Sequence, residues 1–220
     1  MSKSIKLFYD FASPYSYIGF ELAKRLTTAW KVDLHLRPML LGGIFKKLKS
    51  AAPSDPKKVY TDIDLKRLCR YYHIPMVDNR AFFVQVAIFK GTLIPMRFIT
   101  AIDMKKPDIT EQVSSAIYRA FYVKEQDINE IDILRKAALS CGLDAQFVDQ
   151  CVSDMTSDPV KNRLRNFTDE ALDSGCFGAP WFVIRDERNV DHSFFGSERI
   201  NVMADILGKE YPGPIRQSTL

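Results

Sequence analysis

The sequence predicts an α/β protein whose small sheet is interrupted by a large all-helical insertion. Three observations carry this. The chain opens strand, helix, strand; residues 62–175 hold only helical periodicity; and after Gly178-Ala179-Pro180 the hydrophobic period shortens again to that of strands. Ile5-Lys6-Leu7-Phe8-Tyr9-Asp10 reads as the first strand. A helix over 14–28 follows, with Tyr15, Ile18, Leu22 and Leu26 on one face, Pro14 in the first turn and Ser13 as its N-cap. Residues 32–37 alternate Val32, Leu34 and Leu36 against polar neighbours and end at Pro38, so the three elements make a right-handed parallel unit. In the middle, Leu65, Leu68 and Tyr72 form one stripe and Val113, Ala116, Ile117, Ala120 and Phe121 another. Gly142 and Gly175 mark helix ends, and Asp158-Pro159 reads as an N-cap followed by a first-turn proline. There is no internal repeat. Trp181 to Ile184 is a short apolar strand, 185–189 a turn and 190–195 its partner, and Gly196-Ser197-Glu198-Arg199 opens a last helix through Ile200, Met203 and Leu207.

Composition narrows the function classes. At 220 residues and 46% hydrophobic the chain can bury a full core. A net charge of +4, spread along the sequence, argues against nucleic acid and favours small anions. No apolar run approaches the roughly 20 residues of a membrane span, and the first strand begins too early for a signal or transit peptide, so a soluble protein is expected. The four cysteines (Cys69, Cys141, Cys151, Cys176) and three histidines (His35, His73, His192) have no metal-ligand or disulfide-scaffold spacing. They imply no metal, a reducing compartment and mostly core thiols.

The chemistry concentrates in Ser13-Pro14-Tyr15-Ser16, between the first strand and its helix. Thioredoxin-like oxidoreductases keep a Cys-x-x-Cys pair there, and this chain has serine at both places. A hydroxyl at a helix N-terminus cannot form a mixed disulfide, but it can donate a hydrogen bond to another molecule's thiolate. The thiol then arrives with a ligand. Without such a ligand, Ser13 reads as a plain Ser-Pro N-cap. Ser16 is expected to hydrogen-bond locally within the helix.

Leu7-Phe8-Tyr9-Asp10, Ser13-Pro14-Tyr15-Ser16, Leu36-Arg37-Pro38, Phe177-Gly178-Ala179-Pro180, Phe195-Gly196-Ser197-Glu198-Arg199 and Gly213-Pro214-Ile215 together resemble the kappa class of glutathione transferases. The likeness runs in order from Ile5 to Ile215. It implies a thioredoxin-like domain over 1–60 and 176–220, a helical domain inserted over 61–175, and glutathione as co-substrate at their junction, with no other cofactor. It implies a homodimer acting on small hydrophobic electrophiles, in mitochondria or peroxisomes. Ser218-Thr219-Leu220 faintly resembles a peroxisomal ending without its basic central residue.

Carried over residue by residue, the resemblance makes Ser13 the group facing the glutathione sulfur. Pro180 falls at the family's cis-proline, where Ala179 would pair through its backbone with the cysteinyl residue; the base rate for X-Pro bonds favours trans. Ser197 and Glu198 would hold the γ-glutamyl carboxylate and ammonium, Glu198 replacing the family's aspartate. Lys57 would hold the glycyl carboxylate, with Lys58 adjacent and chemically equivalent, and Ser50 stands where relatives carry asparagine. Cys176, beside this turn, reads as a buried small hydrophobe. Two rivals remain: a glutathione-dependent isomerase of the 2-hydroxychromene-2-carboxylate type, and a non-catalytic thioredoxin-like binding or assembly partner.

Overall fold

The computed structural model describes residues 3–50 and 54–214. Ile215 of the Gly213-Pro214-Ile215 segment and the Ser218-Thr219-Leu220 ending lie outside the described residues. Strand β1 (Ser4–Tyr9), helix α1 (Pro14–Trp30) and strand β2 (Asp33–Pro38) form the expected parallel unit, with Leu7 opposite Leu36. The chain returns to the same sheet as β3 (Trp181–Arg185) and β4 (Asp191–Phe195). The strand order is β2-β1-β3-β4, with β3 antiparallel to β1 and to β4.

Between β2 and β3 run α2 (Leu41–Leu48), α3 (Asp55–Tyr72), α4 (Arg80–Phe83) continuing into a π-helical segment (Val84–Lys90), α5 (Leu93–Lys105), α6 (Thr110–Tyr122), α7 (Ile131–Leu139), α8 (Ala145–Asp154) and α9 (Asp158–Asp173). A 3-10 turn at Ser197–Arg199 leads into α10 (Ile200–Ile206). Among the described residues no single helix is long and apolar enough to cross a membrane. The cap of α9 differs from expectation by one residue: Ser157 accepts the Val160 amide at 3.5 Å, and Pro159 sits one place further into the helix.

Strand alternation divides the core. β1 sends Ile5, Leu7 and Tyr9 into a large cluster shared with α1, α5 and α6, and sends Phe8 to the opposite face with Met39, Ile44, Trp181 and Val183. Burial on α1 exceeds the single expected stripe. Ile18, Leu22 and Leu26 are buried as foreseen, and so are Tyr17, Phe20 and Ala23. The reason is that α1 is packed on both sides: Tyr17 stacks on Tyr118 and Tyr122 of α6, with centroids 5.2 and 5.3 Å away. Four buried phenols find acceptors or partners across this seam. Tyr9 pairs with Ser114, Tyr17 donates to the Pro75 carbonyl, and Tyr118 and Tyr122 donate to the carbonyls of Asp10 and Phe11.

Asp186 closes the β3–β4 hairpin. Its carboxylate accepts the amides of Arg188 and Val190 at 2.9 Å and faces His192 at 3.3 Å. The Val190 amide, with those other donors, holds its pKa down at about 2. A depressed carboxylate contributes stability above its unfolded pKa of about 3.9, and that contribution is lost as pH falls through the folded value. Wild type is therefore expected to lose its thermal-midpoint advantage over Asp186→Asn between about pH 4 and about pH 2; a gap unchanged by pH contradicts this role.

Candidate active site

Ser13 has extended geometry, φ −101° and ψ 115°, at the N-terminus of α1. Its Oγ accepts the Ser16 amide at 3.1 Å, the expected N-cap, and donates to the Ala179 carbonyl at 2.9 Å. Both residues are nearly enclosed, 6% and 8% exposed. The Ala179-Pro180 bond is cis, against the base rate and as the resemblance implied. Ser16 departs from expectation. Its hydroxyl makes no bond within the helix; it is buried and faces the Tyr118 phenol.

A glycine that the sequence reading did not single out permits this contact. A Cβ on Gly19 would come 2.8 Å from Pro180 Cγ, so Pro180 rests directly on α1. Gly19→Val is expected to destabilise the protein by about 2–3 kcal/mol through overpacking, read as a lower denaturant midpoint with an unchanged slope. A neutral result would show that Pro180 gives way freely.

The β3–β4 pairing places the next expected residues at the same end of the sheet. The Gly196 amide donates to the Pro180 carbonyl at 3.1 Å. Gly196 has φ +88°, and a side chain there would meet the Glu198 carboxylate, which folds back over it. Ser197 is fully buried, and its hydroxyl has no hydrogen-bond partner among the described residues. Glu198 is exposed. Ser13, Ala179, Pro180, Ser197 and Glu198 are thus brought together.

The remaining two are less directly placed. Lys57 is exposed in the first turns of α3, while Lys58 is half-buried and pairs with Asp55 at 2.7 Å. Ser50 is exposed just past α2, its amide on the Phe45 carbonyl, and among the described residues no hydrogen bond joins it to Ser13.

Pro14 and Tyr15 open onto a cavity of about 600 Å³ between α1, α3 and the α4 region. Its floor is apolar, with Leu65, Met76, Phe83, Val84 and Tyr122. The charges at its rim are compensated: Arg80 pairs with Asp62, and Lys66 with Asp78 at 2.6 Å. Such a cavity suits an uncharged, apolar guest beside Ser13.

No thiol of the chain supplies a nucleophile at neutral pH. All four cysteines are free, and burial raises each thiol, with Cys69, Cys151 and Cys176 pushed up to about 11. Cys176 is buried, as expected, and donates to the Gly178 carbonyl at 3.1 Å.

Behind Ser13 stands Asp10, which the sequence placed at the end of a strand and within the family resemblance but without a role of its own. It is fully buried, and its carboxylate accepts the Ala12 amide at 2.9 Å, the Leu41 amide at 2.7 Å and the Thr92 hydroxyl at 2.6 Å. Its carbonyl accepts the Ser13 amide at 3.1 Å. Burial pushes its carboxyl pKa up against the pull of these donors. Asp10 thereby ties the Ser13 turn to α2 and to the start of α5. An acid three residues before an N-cap serine is a turn-initiating pattern, and was the available signal.

A mixed sheet carrying a buried hydroxyl at the N-terminus of its first long helix, opposite a cis-proline, defines a thioredoxin-type binding site. The sequence matches the DSBA-like thioredoxin domain family over residues 4–208, and the chain belongs to that family. It is 33% identical to human glutathione S-transferase kappa 1, covering 98% of this chain and 95% of that one, and 31% identical to glutathione S-transferase kappa 2 of Caenorhabditis elegans, covering 98% and 96%. Within the DSBA-like family, the chain belongs to the kappa class of glutathione S-transferases. A solved 2-hydroxychromene-2-carboxylate isomerase shares the fold, with a TM-score of 0.74 at 18% identity, covering 93% of this chain and 94% of that one.

Proposed function

We propose that the protein binds glutathione across the Ser13, Ala179-Pro180 and Ser197-Glu198 cluster, holds its sulfur as a thiolate, and transfers it to an apolar electrophile seated in the adjoining cavity. One observation carries this reading most strongly: the helix that would present a reactive cysteine presents the Ser13 hydroxyl instead, while burial keeps every thiol of the chain protonated. The positive end of α1 and a charge-assisted hydrogen bond from Ser13 favour the anionic sulfur. The thiolate attacks an electrophilic carbon, forming a C–S bond as the leaving group departs with its electron pair. With a hydroperoxide, the same sulfur attacks the terminal oxygen and releases the alcohol, and a second glutathione resolves the sulfenic acid to disulfide and water.

The Ser197 hydroxyl, without a partner among the described residues, would donate a hydrogen bond to the γ-glutamyl carboxylate, and Glu198 would meet the ammonium. Lys57 is proposed for the glycyl carboxylate because Lys58 is already paired with Asp55; Ser50 is assigned to the same end of the tripeptide. We propose a homodimer on the strength of the exposed, touching side chains of Phe177 and Phe195, with centroids 4.7 Å apart, and light scattering checks it.

The test is turnover by the purified protein with glutathione and a chloronitrobenzene, with an organic hydroperoxide, and with 2-hydroxychromene-2-carboxylate. Conjugation above the uncatalysed rate supports the transferase. Isomerisation without conjugation selects the isomerase, and binding of glutathione with no turnover leaves a binding protein.

A further inference from the structure

We propose that the Ser13 hydroxyl is held in a donor lock that only a thiol carrying a neighbouring amide N–H can open, so that the site activates N-acylated cysteine peptides and not simple thiols. The inference rests on the preceding reading of Ser13 and Ala179. A serine hydroxyl has a single hydrogen to donate. Here it is already given to the Ala179 carbonyl at 2.9 Å, while Oγ accepts from the Ser16 amide at 3.1 Å. Ser13 is buried and Ala179 nearly so, and among the described residues no other donor reaches that carbonyl.

For the hydrogen to turn towards a sulfur, the Ala179 carbonyl must lose its only donor, and an unsatisfied buried acceptor is expensive. A bare thiol offers nothing in exchange. A cysteinyl residue does, because its amide nitrogen lies three bonds from its sulfur and can take the carbonyl as the sulfur takes the hydroxyl. Main-chain pairing of the tripeptide and stabilisation of its thiolate then become one exchange of donors. Ser13 keeps its proton throughout, and the thiol proton leaves to solvent.

Two measurements test the lock. The first compares binding of γ-glutamyl-2-aminobutyrylglycine, which keeps the amide but carries a methyl in place of the thiol, to wild type and to Ser13→Ala, with folding of both checked by circular dichroism. In wild type this ligand displaces the hydroxyl from Ala179 without offering it an anion; in the variant the carbonyl is already vacant. Binding to Ser13→Ala is expected to be about fivefold tighter than to wild type, whereas glutathione at pH 8 is expected to bind the variant more weakly. If the methyl ligand binds the variant no more tightly while glutathione is still weakened, the lock is overturned and Ser13 activation stands. If glutathione is indifferent to the substitution, the reading beneath it fails.

The second uses wild type alone, with a glutathione analogue whose cysteinyl N–H is replaced by an ester oxygen. Its bound thiol is expected to titrate near its free value, while bound glutathione titrates well below. An equal lowering of both overturns the lock.

Discussion

Ser13→Ala is expected to slow conjugation at pH 7 by about 2–4-fold, with the deficit gone by about pH 8. A thiol with pKa about 8.5 is only about 3% ionised at pH 7, and one lowered by about two units is about 75% ionised. That shift needs roughly 2.7 kcal/mol of preferential thiolate stabilisation, within the combined reach of a charge-assisted hydrogen bond and a helix N-terminus. The population gain of about 25-fold is mostly returned, because a thiolate about two pKa units less basic is weaker as a nucleophile by about 6–10-fold. Towards and above the pKa of free glutathione the variant needs no help with ionisation and carries the more basic thiolate, so the two rate profiles cross. A deficit that stays constant across pH would assign Ser13 to positioning instead. Alanine also removes the N-cap bond to Ser16, for about 1 kcal/mol of stability, so rates are compared at temperatures where both proteins are folded.

Asp10→Ala is expected to cost about 3–5 kcal/mol of folding stability, because it strands buried donors that a charged acceptor had satisfied. The loss is spread over three segments. The Ala12 amide belongs to the turn carrying Ser13, the Leu41 amide begins α2, and Thr92 immediately precedes α5. The Thr92 hydroxyl donates to Asp10 and does not cap its own helix. Denaturant unfolding reads the effect as a lower midpoint. Thr92→Val, which leaves one orphaned lone pair on a carboxylate with two other donors, is expected to fall well short of Asp10→Ala. Equal costs for the two would show that the amide contacts contribute little.

The strand–helix–strand opening and the returning hairpin were legible because their periods of 2 and 3.6 are local properties of the sequence. The Ser13 cap was legible for the same reason: Ser-Pro before an apolar stripe carries its own chemistry. What escaped depends on residues far apart in the chain. The second buried face of α1 exists because Tyr118 and Tyr122 stack on Tyr17, and nothing within α1 announces them. Asp10 looks like an ordinary strand-ending acid until Thr92 and Leu41 are brought to it. Gly19 reads as a tolerated helix glycine until Pro180 is seen against it. The resemblance to the kappa class supplied the cis-proline and the Ser197-Glu198 pair, which periodicity alone leaves as a proline before a strand and a surface cap.

In the proposed mechanism Ser13 lowers the pKa of a thiol that the protein does not itself possess. The ultraviolet absorbance of the thiolate, titrated across pH for glutathione bound to wild type and to Ser13→Ala, measures this directly. A bound pKa about two units below that of free glutathione is expected in wild type, rising back towards the free value in the variant. A bound pKa equal to that of free glutathione in wild type would contradict it.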